Sequence, residues 1–590
     1  MRVNIIGTGT KFTGVAQDVQ ILHGMIAHVF GEQTEIRHVP HFHPQTHQAE
    51  INFFVEVINP VLFQYAAKNI WIPNPEWTYK TWEPYLGMVD EVWVKTRDAV
   101  KIFENIGVAT RYIGWTSIDK VQPEKKNYSK AILPTGKNIW RNPKPLVQAY
   151  MRIQRQDPSL FNHLPEVHIV FNPKAVPLPD VPADLVKKIK YHSEFMPEKE
   201  YDELLQDCGL CICLSAAEGF GHAVNEAMST GCNLLLSPIE PFRELTDHAL
   251  WTSTSKIHDH PQCMGKLEDV DVESIVECLT IYSTSTFLHK KSMTALARSE
   301  YEGRHNQFIQ RICSELERFK DMSTYSMEER LPKEEDLPKV SVITITKDRR
   351  TFIPLAKYCF LAQAYPEDKL EWVIVDDGTD QIKDLVSDLP NVKYVLCDES
   401  KKWTVGAKRN LAVESASHDI LVMLDDDDVY PNHSVLSRVA HMLATPSKEC
   451  VFCTTIPCFD IHQKKSFVNV PPNTLGMSDR VSEATLCFTR DFWRHTKFPE
   501  IQIAEAGAFI RRREHMCREM SPQDVIVSLI HKKNTSSRKA PAGESNGCHF
   551  GFTDSLYTLV SEIAESLEQQ QEGGNLPQSA SGQQPSASSP

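Results

Sequence analysis

The sequence predicts an α/β protein built from two doubly wound halves with a cleft between them, followed by a further α/β domain. Three observations carry this expectation. From residue 1 to about 320, short β-branched runs alternate with stretches of helical period, the signature of parallel sheets covered by helices. The stretch DMSTYSMEERLPKEEDLP, residues 321–338, is charged, holds two Pro and carries no apolar period, as a linker between domains does. The alternation then restarts at Lys339. A chain of 590 residues also exceeds what one hydrophobic core supports.

In order, the first region offers VNIIG, INFFVEVI, EVWV, HIVF, LCICLS and NLLLS as strands. Its first helix places Val15, Val19, Leu22, Ile26 and Val29 at steps of 4, 3, 4 and 3, one buried stripe. The polar break DKVQPEKKNYSK, residues 119–130, divides it into halves of about 1–125 and 126–320. The later domain, 339–545, offers VSVITIT, WVIVDDG, VKYVLCD and ILVMLDDDD, with helical PLAKYCFLAQAY and AKRNLAVESA between them. Residues 546–590 hold one further helix, SLYTLVSEIAESLEQQ, and a tail of Gly, Ser, Pro and Gln that cannot repay the entropy of ordering and is expected to be disordered.

Composition narrows the function. A net charge of −14 without a concentrated Lys/Arg face excludes a nucleic-acid footprint. The first residues lack the apolar core of a signal peptide, and no run of about 20 apolar residues occurs, so the expected residence is cytoplasmic, with peripheral membrane contact left open. Fifteen Cys, an odd number in a chain with no secretory signal, fit free thiols rather than disulfides.

The most specific feature is the run of four carboxylates at 425–428, where the strand ILVML ends and before Pro431 and Asn432. Ligands bind open α/β sheets at such carboxyl ends. Packed like charges repel, and a hard divalent cation relieves this while bridging carboxylates to phosphate. The alternative is a solvated acidic loop. Thr344, Thr346, Asp376 and Asp377 stand at two further strand ends, and GAKRN supplies Lys408 and Arg409 as donor-binding candidates.

VSVITIT, VIVDDG, GAKRN and LDDDDVYPN together resemble the ordered motifs of family 2 glycosyltransferases with the GT-A fold. The resemblance implies nucleoside contacts for Thr344, Thr346 and Asp377, with Asp376 beside them, and a place for Arg409 on the nucleotide side. Asp425 and Asp427 match the two acids of the D-x-D motif. Asp427 is the candidate for direct coordination of Mn²⁺ or Mg²⁺, and Asp425 for metal or ribose. His531, in SLIHKKNTS, resembles the downstream metal-binding His of some members; the alternative is a structural imidazole. An inverting transferase needs a carboxylate to take the acceptor hydroxyl proton. Glu505, in KFPEIQIAEAGAF, is the candidate, with Asp479, Glu483 and Asp524 as rivals.

In the first region, LCICLSAAEGFGHAVNEAMSTG runs from a strand through a Gly-flanked turn into a helix. Gly219 and Gly221 let the backbone approach a ligand, and the helix start offers N–H groups to phosphate. Glu218 and Glu226, with seven residues between them, resemble the E-x7-E element of family 4 retaining glycosyltransferases of the GT-B fold. That resemblance implies donor-sugar contacts for Glu218, the catalytic candidate of this region, ribose contacts for Glu226, and no metal. Lys137 and Arg141 are the nearest match to the family's diphosphate-binding pair, in reversed order. The early Gly7, Gly9 and Gly14 depart from G-x-G-x-x-G spacing, which argues against a dinucleotide-binding dehydrogenase.

The implied architecture is thus two Rossmann-like halves (GT-B) followed by a nucleotide-binding mixed-sheet GT-A domain. The implied function is a bifunctional glycosyltransferase using nucleotide sugars, with a glycan, glycolipid or glycoprotein acceptor. The alternative is one active family 2 transferase beside a sugar- or nucleotide-binding scaffold. His38, His41, His43 and His47, and the thiols Cys208, Cys211, Cys213, Cys450 and Cys453, lack a second ligand set and are read as structural.

Overall fold

The computed structural model describes residues 1–7, 13–43, 45–171, 185–327, 331–445, 447–534, 539–540, 542–543 and 552–573. Gly9 and the tail from 574 lie outside the described residues. The chain divides into two compact units, Met1–Met327 and Glu328–Pro590, so the break falls within the stretch read as a linker. Its first residues are tied to the first unit: Tyr325 N donates to Glu50 Oε1 (3.0 Å), Arg2 donates to Tyr325 O (2.7 Å) and Met327 N donates to Gln48 Oε1 (3.0 Å).

The first unit holds two six-stranded parallel sheets. One runs in the order Glu35–Pro40, Arg2–Gly7, Ala49–Val55, Ala66–Ile72, Glu91–Val94, Arg111–Tyr112. The other runs Leu250–Trp251, Asn233–Leu236, Cys208–Cys213, Asn127–Gly136, Glu166–Phe171, Ile189–His192. Helices start where the sequence supplies caps. Thr13 accepts from Ala16 N (3.1 Å) to open Gly14–Phe30, and Thr96 accepts from Ala99 N (3.1 Å) to open Arg97–Glu104. On Gly14–Phe30 the residues Val19, Leu22 and Ile26 are buried, while Val15 and Val29 at the stripe's ends are only half-buried. Asp18 is buried on the same face.

The helix Phe287–Glu317 follows the second sheet in sequence. Its Tyr301, Phe308, Ile312 and Leu316 nevertheless pack in one core with Val3, Ile5, Leu22 and Phe53 of the first half.

The second unit holds a mixed sheet in the order Val392–Leu396, Leu370–Asp376, Val340–Thr346, Ile420–Met423, Cys487–Thr489, Cys450–Phe452, Cys517–Glu519. The first four strands are parallel, and Cys487–Thr489 runs antiparallel to both of its neighbours. A three-stranded sheet, Lys465–Asn469, Ile456–Asp460 and Ser528–Ile530, accompanies it. The helix Asp554–Gly573 contributes Leu556, Val560, Ile563 and Leu567 to this unit's core.

Each sheet of the first unit, and the parallel part of the second unit's mixed sheet, reverses its strand order once, and at such a switch point the loops after two adjacent strands open a ligand crevice. In the second unit these strands are Val340–Thr346 and Ile420–Met423; in the second half of the first unit they are Asn127–Gly136 and Cys208–Cys213. The fourteen described cysteines are free thiols, and no described helix is long and apolar enough to cross a membrane.

Candidate active sites

In the second unit, the run 425–428 follows the strand Ile420–Met423, as the sequence implies. Its four carboxylates do not share one environment, although Asp426 and Asp427 have Arg349 in common. Asp428 accepts from Leu529 N (2.9 Å). Asp426 accepts from Thr346 Oγ1 (2.6 Å) and Arg349 Nη1 (2.9 Å). Burial, only partly offset by Arg349, pushes Asp426 up to about 6. Asp427 Oδ2 meets both Arg349 and His531 Nε2, the latter at 3.2 Å. Burial opposes its charge, but His531 and Arg349 more than compensate and hold its pKa below the usual value.

Asp425 lies 3.5 Å from Arg409 Nη1, and its Oδ1 is a buried oxygen with no hydrogen bond. Burial, with Asp427 and Glu505 adding to it, raises its pKa. Arg409, itself buried, donates through Nε to Glu505 Oε1 (2.8 Å). Glu505 opens the short helix Glu505–Ile510 behind Ala504, whose φ is 61°. The segment that leads to it crosses the helix Val405–Ser415 at Gly406, where a Cβ would stand 1.8 Å from Pro499 O.

Glu505, Arg409 and Asp425 are therefore linked through successive contacts, and Asp427 and His531 form a second pair two residues further along the acidic run. Of the rival carboxylates, Asp479 pairs with Arg511 (2.7 Å) and Asp524 is exposed. Burial, and then the charge of Glu505, raises the pKa of Glu483.

Other expected donor contacts are turned inward. Thr344 donates to Leu424 O (2.6 Å) and accepts from Trp372 Nε1 (2.8 Å), which ties neighbouring strands together. Asp376 accepts from Gly378 N (2.8 Å), Ile382 N (3.2 Å) and Tyr394 OH (2.6 Å) and is fully buried. Both make hydrogen bonds within the domain, as does Thr346 to Asp426. Asp377 is held by Lys408 (2.6 Å) and Lys347 (3.2 Å). Arg349, in the loop after Val340–Thr346, was not foreseen; the signal available was its place in TKDRR directly after a strand end.

In the first unit, Glu218 follows the strand Cys208–Cys213 and Arg141 follows Asn127–Gly136, on either side of the switch point. Arg141 grips both oxygens of Glu218, through Nε at 2.6 Å and Nη2 at 2.9 Å, and Asn138 adds a bond at 3.2 Å. Burial disfavours the guanidinium charge, but Glu218 outweighs it and raises the pKa. Arg141 is thus paired with Glu218, and Lys137 is exposed in the turn after Gly136.

Gly221, at φ 99°, precedes the helix His222–Ser229, and a Cβ on Gly219 would meet Asn74 Oδ1 at 2.4 Å. Glu226 accepts from Gln17 Nε2 (2.6 Å), and burial raises its pKa. His222 bridges Asp18 Oδ1 and Ser117 Oγ, each at 2.8 Å, and Asp18 also pairs with Lys95. Glu76 is buried, its Oε2 lacks a hydrogen bond, and burial followed by Glu218 pushes it up to about 8.

Strand-end carboxylates, a Gly-flanked helix start and switch-point crevices are features suited to binding a phosphate-bearing ligand. Two segments of the chain match known families: residues 341–513 match the family model described as glycosyl transferase family 2, and residues 184–255 that described as glycosyl transferases group 1. No curated protein matches the chain.

Solved structures with partial likeness include the mannosyltransferase PcManGT of Pyrobaculum calidifontis in complex with GDP-Man and Mn2+. It is 22% identical with a TM-score of 0.27, over 34% of this chain and 60% of that one. S. aureus TarS 1-349 is 19% identical with a TM-score of 0.26, over 32% and 60%. TarM is 11% identical with a TM-score of 0.33, over 46% and 55%. The chain thus spans about 60% of the length of the first two, and likeness this partial carries nothing about substrate.

Proposed function

We propose that the chain is a bifunctional glycosyltransferase, moving sugars from nucleotide-sugar donors to a glycan, glycolipid or glycoprotein acceptor. In this reading the first unit transfers with retention and without metal, the second with inversion and with a divalent cation. Cytoplasmic residence belongs to the same reading.

The observation that carries the second-unit assignment is the linked set Glu505, Arg409 and Asp425 beside Asp427 and His531. Among the described residues no three His, Cys, Asp or Glu side chains are already gathered as a metal cluster. The donor set nonetheless fits one: Asp425 Oδ1 is a buried carboxylate oxygen without a hydrogen bond, and Asp427 already faces an imidazole. Carboxylate and imidazole donors suit Mn²⁺ or Mg²⁺. Asp427 and His531, with Asp425, would hold the cation, which when bound neutralises the donor's diphosphate. Glu505 takes the acceptor hydroxyl proton as that oxygen attacks. Arg409 holds Glu505 in place through its Nε hydrogen bond. In the first unit, Glu218 would meet the donor sugar and Glu226 the ribose.

A second reading has one specific observation in its favour. Glu218 is engaged by Arg141 at both oxygens and Glu226 by Gln17, so the first unit's donor groups are satisfied within the protein. That suits a binding scaffold with slow or no turnover. Release of nucleotide from a panel of sugar nucleotides, with Mn²⁺ or EDTA, separates the two. Two working transferases give an EDTA-sensitive part lost in Asp427→Ala and an EDTA-resistant part lost in Glu226→Ala. If all turnover vanishes with metal and Glu226→Ala changes nothing, the scaffold reading holds.

A further inference from the structure

Arg349 occupies the position in the second unit where a cation is most wanted. One nitrogen, Nη1, serves two acids, donating to Asp426 Oδ1 at 2.9 Å and to Asp427 Oδ2. Its Nη2 is tethered to the backbone at Lys533 O (3.3 Å), two residues past His531. The oxygen it takes on Asp427 is the same one that faces His531 Nε2. The guanidinium is largely buried, 21% exposed at the side chain. Burial works against its charge, but Asp426 and Asp427 hold the pKa above the usual value.

Buried carboxylates need a counter-charge, and removing it leaves an uncompensated charge in low dielectric. A divalent ion bonded to Asp427 Oδ2 and a guanidinium on that same oxygen would repel at close range with little solvent between them. Both cannot keep that oxygen at full strength. We propose that Arg349 is the built-in counter-cation of the metal-free site, holding Asp426 and Asp427 until a divalent cation displaces it. The inference rests on the metal-binding reading of Asp427 given above and deepens it. It makes metal binding an exchange of one cation for another rather than the filling of a bare acidic pocket. It also explains how two of the four consecutive carboxylates, Asp426 and Asp427, are tolerated at a buried strand end without metal.

The test is Mn²⁺ binding by the full-length chain, followed by the free-ion electron paramagnetic resonance signal with no donor present. Thermal melts with and without Mn²⁺ accompany it. Arg349→Gln removes the competitor, so its Mn²⁺ affinity is expected to rise by about tenfold or more, within the usual range of coupled sites. Its metal-free melting temperature is expected to fall and to be restored by Mn²⁺. Arg349→Lys keeps a charge but cannot match the fixed geometry of the fork, so its affinity is expected to lie between the two; it serves as well if the Gln variant fails to fold. Arg350→Gln, which breaks exposed contacts with Asp380, Asp384 and the Gln381 carbonyl, is expected to leave Mn²⁺ affinity unchanged.

Wild-type binding that is lost in Asp427→Ala but unchanged or weakened in both Arg349 variants overturns the exchange while leaving the metal site standing. Absence of binding in wild type and in every Arg349 variant overturns the metal reading itself, and the exchange with it.

Discussion

Replacing Arg409 with Met tests whether the second unit's site is held together by charge. Arg409 is buried between Glu505 at 2.8 Å and Asp425 at 3.5 Å. Methionine fills similar space but leaves buried Glu505 and half-buried Asp425 without their counter-ion. Breaking a buried pair from one side costs about 3–5 kcal/mol. For a domain of this size each kcal/mol moves the melting temperature by about 2–4 °C, so the second unit's transition should fall by roughly 10 °C. Glu505→Gln alone should cost less, because Asp425 remains to balance Arg409.

The double variant Arg409→Met/Glu505→Gln should recover part of the loss, a coupling of about 1–3 kcal/mol. The assay is a double-mutant cycle by urea denaturation near neutral pH, with nucleotide release measured alongside. Glu505→Gln should abolish acceptor-dependent transfer whether or not stability is restored. If all three variants stay within about 0.5 kcal/mol of wild type, in the range of ordinary surface changes, the pairing does not organise the site and the argument for Glu505 falls with it.

Glu76, pushed up to about 8 by burial and then by Glu218, keeps its proton in the fold where the unfolded chain has lost it. Stability of the first unit should therefore fall as pH rises from about 4.5 through about 8, by on the order of a few kcal/mol, and Glu76→Gln should flatten that slope in urea midpoints taken across the range. Gly406→Ala puts a methyl 1.8 Å from Pro499 O; because the neighbour is backbone, the segment leading to Glu505 must shift. We expect a loss of about 1–3 kcal/mol and a fall in kcat larger than any change in KM. Arg141→Gln should free Glu218 for ligand: equilibrium dialysis of sugar nucleotides should show altered affinity at the first unit, and unchanged binding would mean that the Glu218 pair plays no part in donor recognition.

Most of the parallel strands were legible because they are buried on both faces and so read as continuous apolar runs, VSVITIT and LCICLS among them. The antiparallel strand Cys487–Thr489, three residues long, has no period to read. Position along a strand was legible and side-chain partnership was not. Thr344 and Asp376 stand at strand ends, yet their polar groups are spent on Trp372, Leu424, Tyr394 and nearby amides. The acids of 425–428 were visible as charge, whereas the cation that matches them, Arg349, lies 77 residues before Asp426. Asp18 and Lys95, also 77 residues apart, were missed for the same reason. Long-range pairing of single charges leaves no local pattern, whereas the E-x7-E spacing lies within one strand, turn and helix and could be read directly.

The helix Phe287–Glu317 sets a timetable for synthesis. The first half's strands are all translated by Tyr112, but the apolar face they present is closed by Tyr301, Phe308, Ile312 and Leu316. At about 5–20 residues per second, the nascent first half waits roughly 10–40 s for its cover to emerge from the ribosome. During that interval it exposes a surface that chaperones can bind, and a fragment ended near residue 125 would carry the same exposed face permanently.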